Sequence, residues 1–161
     1  VARRQTMTAE RRLQQAGLQL PAPVQTRFRY QPALVDRGTI YLGGQLPKLA
    51  GDVVEAVGVL GRDISRERAA AAATLCALQA IAWMRHELGT LERVRRILRL
   101  GAYVRVGAEG SDAMSSVIDT ASSVLEIAFG DAGRHARSVL GVADLPRHSV
   151  VMIDLVAAVT D

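Results

Sequence analysis

Residues 149–159 read Ser-Val-Val-Met-Ile-Asp-Leu-Val-Ala-Ala-Val, and their alternation decides the fold class. Val151, Ile153, Leu155, Ala157 and Val159 share one side of a period-two repeat; His148, Val150, Met152 and Asp154 share the other. Such a segment is a strand. Its second face, with Val150 and Met152 beside Asp154, is too apolar for open solvent, which predicts contact with another subunit there. Residues 95–106 repeat the pattern. Leu98, Leu100, Ala102, Val104 and Val106 are apolar at even positions, while the odd ones include Arg95, Arg99, Tyr103 and Arg105.

Working outward, two helices flank the second of these strands. One spans residues 66–88, with Ser65 as cap and Gly89 as stop, and an apolar stripe of Leu75, Leu78, Ile81, Ala82 and Leu88 beside Ala72, Cys76, Ala80 and Trp83. The other spans residues 112–129, capped by Ser111 and ended by Gly130. Its Met114, Val117, Ile118, Ala121, Val124, Leu125 and Ala128 follow helical spacing. Strands are predicted at 28–35 and 39–42, joined through Asp36-Arg37-Gly38, and at 137–143. Residues 48–62 read as an irregular loop with room for one short extra strand. Thr8 caps a short helix over 9–16. The order β-β-α-β-α-β-β makes an α+β domain with two helices on one sheet face. Residues 1–24 form an N-terminal leader and short helix, with residues 1–6 preceding Met7, and residues 25–161 the folded domain.

The chain has 161 residues, 49% apolar and 22% charged, a globular balance sized for one domain. Its single cysteine excludes an internal disulfide and fits a reducing compartment such as a bacterial cytoplasm. No apolar run reaches the roughly 20 residues that span a bilayer. The net charge is +4, yet Lys48 is the one lysine among 20 cationic residues. The arginines scatter along the chain and aromatic residues make up 4%, a pattern that does not favour nucleic acid.

Three segments resemble the RidA family, also called the YjgF or L-PSP endoribonuclease family. Ile40-Tyr41-Leu42-Gly43-Gly44-Gln45-Leu46-Pro47 is similar to its strand followed by S-G-Q-L/I-P. His135-Ala136-Arg137-Ser138-Val139 is similar to its P/H-A-R-S motif, and Ala143-Asp144-Leu145-Pro146 to its A-x-L-P unit. The likeness covers about residues 25–159 and points to a divergent branch. It implies a chorismate-mutase-like α+β fold with one mixed sheet and two helices on one face. It also implies a homotrimer with a carboxylate-gripping arginine in each intersubunit cleft, and no cofactor. Core members hydrolyse enamine and imine intermediates to 2-oxo acids and ammonia; some relatives are credited with ribonuclease activity.

By that resemblance Arg137 holds the ligand carboxylate, a role its planar fork of donors suits, although a salt bridge to Asp or Glu is the competing role. Tyr30 flanks the ligand, and Gly43 and Gly44 line the cleft. Gly43 stands where the family has serine, Val139 where it has cysteine, and Met152 where it has a water-activating carboxylate. A thioether cannot take a proton from water. Asp154 shares the face of Met152 and is the candidate base, with an arginine salt bridge as its alternative. Asp119 and Ser122 both compete for the place of the family's helical asparagine. The expected function is binding of a small carboxylate or imino acid, with hydrolysis of enamines or imines as its enzymatic form. A non-catalytic binding trimer and an RNA-directed role are the alternatives. His86, His135, His148 and Cys76 show no metal-ligand spacing. His86 suits a helix C-terminus, and His135 the rim of the cleft.

Overall fold

The computed structural model describes residues 7–161, so the leader assigned to residues 1–6 lies outside the described residues. Helix α1 (Ala9–Gln15) is followed by strands β1 (Ala33–Asp36) and β2 (Thr39–Gln45) and a small hairpin, β3 (Lys48–Leu49) and β4 (Val53–Val54). Helix α2 (Arg66–Leu88), strand β5 (Val94–Arg105), helix α3 (Met114–Phe129) and strands β6 (Ala136–Val142) and β7 (Val151–Val159) complete the chain. The main sheet runs β1-β2-β7-β5-β6, with β5 and β6 parallel and the other pairs antiparallel. Helices α2 and α3 cover one face, as the alternation of β7 requires, and α1 packs on α3.

Helix α2 begins and ends where the sequence predicts. Ser65 Oγ accepts from Arg68 N at 3.2 Å, and Gly89 closes the helix in the left-handed region at φ 78°. Its buried side is broader than one stripe. Ala69, Ala72, Ala73, Cys76, Ala77, Ala80, Ile81 and Met84 are all fully buried, whereas Leu75 is only half-buried. Alanine at so many positions lets the helix lie close to both the sheet and α3.

Several local expectations are corrected. Ser111 does not cap α3. A 3₁₀ turn over Ala108–Ala113 precedes the helix, and Ser111 Oγ donates to the Ala108 carbonyl instead. Residues 28–32 do not join β1, and the 48–62 segment holds the β3–β4 hairpin. The alternation of β5 is broken by two irregularities, between Val94 and Arg96 and between Ile97 and Arg99. Ile97 is therefore buried, and Leu98 turns outward at 43% exposure. Val150 precedes β7 in a bend and is fully buried, so only Met152 and Asp154 of that predicted set lie on the outer face. Ser65→Ala is expected to cost about 1 kcal/mol, and Ser111→Ala no more than about 0.5 kcal/mol. Thermal denaturation of the two variants separates a true cap from an apparent one.

Candidate functional site

The parallel pairing of β6 on β5 sets Arg137 beside Leu100 and Val139 beside Ala102, on the helix-bearing face. Strand β6 is an edge strand, so Arg137 can reach α3. There Ser115, Asp119 and Ser122 follow one another at i, i+4, i+7 along a single helical face. Arg137 Nη1 donates to Asp119 Oδ1 at 2.8 Å and to Ser122 Oγ at 3.1 Å, and Nη2 lies 3.4 Å from the Ser115 carbonyl. Asp119 and Ser122 thus both meet the arginine. Among the described residues Nε has no hydrogen-bond partner, so Nε–H and the Nη2 hydrogen not turned to Ser115 leave the Nε–Nη2 edge of the fork for a ligand. The Arg137 side chain is 23% exposed and that of Asp119 68%. His135 closes the group, with Nε2 3.0 Å from Ser122 Oγ and Nδ1 2.6 Å from the Gly133 carbonyl.

Gly43 and Gly44 lie on β2 and Met152 on the central strand β7, away from the β6 edge. Strand β2 bulges between Leu42, paired with Leu155, and Gln45, paired with Ile153. The bulge places Gly44 on Met152, and a Cβ on Gly44 would stand 2.5 Å from its Sδ. Gly43 is roomier. A Cβ there would meet nothing nearer than the Pro32 carbonyl at 3.7 Å, so the family serine would fit. Gly43 N donates to that carbonyl at 2.8 Å, and Tyr30, 56% exposed, precedes the same segment. From β2 to β6 is three strand spacings, about 14 Å, so one chain does not bring Gly43 and Gly44 to Arg137.

Asp154 occupies the middle of the outer face, opposite Gly101, on the other side of the sheet from Arg137. It is the acceptor of a hydrogen bond from Tyr103 Oη at 2.9 Å and lies 3.6 Å from Arg99 Nη1. The donated hydrogen bond, then the carboxylate's charge, then burial hold the Tyr103 phenol above its ordinary range. A raised phenol favours its neutral form in the fold. That contribution is present below the unfolded value of about 10 and fades as pH rises through the folded one. Ultraviolet titration is expected to show one late tyrosine, lost in Tyr103→Phe and shifted down in Asp154→Asn. The arginine salt bridge expected as the alternative role of Asp154 is thus made by Arg99, whereas the hydrogen bond from Tyr103 had no signal beyond its place on the same face.

The remaining groups are peripheral. His148 Nδ1 pairs with Asp144 Oδ2 at 3.0 Å, and this contact, followed by the Leu145 N–H, holds the Asp144 carboxyl low. His86 meets Trp83 edge-on at 5.3 Å. Burial pushes the Cys76 thiol well up, which suits an inert core residue. Among the described residues no three His, Cys, Asp or Glu side chains gather as a metal site, and no helix is long and apolar enough to cross a membrane.

The family model described as "YjgF/chorismate mutase-like, putative endoribonuclease" matches residues 10–159. Protein TCP17 of Trypanosoma cruzi is 35% identical over 144 residues, 88% of each chain. The crystal structure of Atu1372 from Agrobacterium tumefaciens, a protein of unknown function, is 33% identical with a TM-score of 0.87, covering 94% of this chain and 92% of that one. A "putative endoribonuclease" from Shewanella oneidensis is 32% identical with a TM-score of 0.89, covering 94% and 99%.

Proposed function

The chain belongs to the RidA/YjgF family and has its chorismate-mutase-like fold, and on that premise we propose that it binds a small carboxylate in a cleft between copies of a homotrimer. The observation that carries this is the split of the motif residues across the sheet. Arg137 and Val139, with Asp119 and Ser122, form one half at the β6 edge; Gly43, Gly44 and Met152, on β2 and the central strand β7, form the other, to which the family resemblance adds Tyr30. A second copy supplies the missing half. The outer face agrees with such packing, since Tyr41, Leu98 and Leu140 are exposed on the sheet at 49%, 43% and 55%.

The open Nε–Nη2 edge of Arg137 matches a carboxylate with two parallel charge-assisted bonds. Titration calorimetry with 2-oxobutanoate is expected to show binding by the wild-type protein and a loss of about 100-fold in Arg137→Ala. Equal affinity in both proteins overturns the proposal. Enamine or imine hydrolysis is the second reading, favoured by the half-buried Asp154 carboxylate, which can hold a water where Met152 cannot. Faster 2-oxo acid release when the protein is added to an amino-acid dehydratase reaction would support it. An RNA-directed role is less favoured, because Arg99, Arg105 and Arg147 are engaged by aspartates of the same chain.

A further inference from the structure

We propose that His135 is a positioning residue that sets the carboxylate fork of Arg137 through Ser122, an inference that rests on Arg137 being the anion-binding group. The Gly133 carbonyl can only accept, so the ring nitrogen 2.6 Å from it, Nδ1, carries the proton. In the neutral imidazole Nε2 is then an acceptor, and Ser122 Oγ, 3.0 Å away, donates to it. With its one hydrogen committed, Oγ turns its lone pairs to Arg137 Nη1 at 3.1 Å. Asp119 takes the other Nη1 hydrogen at 2.8 Å. Both Nη1 hydrogens are used, one Nη2 hydrogen faces the Ser115 carbonyl, and Nε–H and the second Nη2 hydrogen remain for a ligand.

The bonds run head to tail, carbonyl to imidazole to hydroxyl to guanidinium, so each polarises the next. Without an acceptor at Nε2 the Ser122 hydroxyl is a free rotor, and it can turn its hydrogen toward the cation it now serves. The two groups are 13 residues apart on different elements. The link is made by the Gly130–Gly133 turn, which folds the start of β6 back against α3.

The test uses the full chain labelled with nitrogen-15. Wild type is expected to show His135 as the Nδ1–H tautomer and the Arg137 Nη1 protons as separate, slowly rotating resonances. Glutamine at this position places an amide oxygen where Nε2 stands, whereas asparagine reaches only the Nδ1 position. H135Q is expected to keep the Arg137 resonances and to bind 2-oxobutanoate within about twofold of wild type; H135N and H135A average the resonances and bind about tenfold more weakly. On a Ser122→Ala background H135A adds no further loss. Equal behaviour of H135Q and H135N, or unchanged Arg137 resonances in H135A, overturns the proposal. If wild type and Arg137→Ala bind 2-oxobutanoate alike, the anion-site reading fails instead, and the Arg137 resonances still decide the part played by His135.

Discussion

Gly133→Ala is expected to destabilise the protein by about 3 kcal/mol or more, lowering the melting temperature by roughly 10 °C. Gly133 is buried in the 3₁₀ turn that joins α3 to β6. A Cβ there would overlap the Leu125 carbonyl and press on the Glu126 Cα, both part of the α3 backbone. Backbone held in helical hydrogen bonds cannot swing aside as a side-chain tip can. The turn must open instead, and with it moves the Gly133 carbonyl that fixes His135. Gly89→Ala is the control. A methyl group on that glycine would meet nothing within 4 Å, and only its φ of 78° disfavours a side chain, so its cost is about 1 kcal/mol. Equal costs at the two positions in denaturant melts would show that the turn yields and that close approach is not what selects glycine at Gly133.

The same turn shows what a sequence can and cannot convey. Helix α2 was legible because its signals are local: Ser65 caps it, Gly89 ends it, and the run between favours helix. Ser111 looked equivalent and was not, since the 3₁₀ turn that displaces it is held by backbone contacts, among them the close approach of Gly110 to Leu60. Alternation along β7 gave the inward face correctly from Val151 onward. On β5 the same rule failed at Leu98, because a strand that bulges twice shifts its phase, and neither irregularity leaves a mark on composition. The motif residues were likewise readable one by one. Their grouping was only partly so: the resemblance put Asp119 and Ser122 in the site of Arg137, but the sheet order that separates Arg137 on β6 from Gly43 and Gly44 on β2 is a property of the whole fold, and the approach of His135 to Ser122 joins residues with no periodic relation.

Under the proposed function, two variants that each strongly weaken 2-oxobutanoate binding are expected to restore it partly when assembled together. Arg137→Ala removes the fork at the β6 edge. The lost contacts are to groups that solvent can still reach, so the stability cost is small. Gly43→Phe leaves that edge intact and puts a bulky ring beside the β1–β2 edge, where the position has ordinary clearance and the backbone need not shift. In the proposed homotrimer of either variant every cleft carries one damaged half. When the two are unfolded, mixed in equal amounts and refolded, each cleft draws its halves independently from two chains. About one cleft in four then receives both intact halves, as the cyclic symmetry of such an assembly requires. Calorimetry of the mixture should find that fraction of sites with wild-type affinity and none in either parent. No recovery in correctly folded mixed trimers would mean that one chain supplies the whole site, and full binding by Gly43→Phe alone would remove the β1–β2 edge from it.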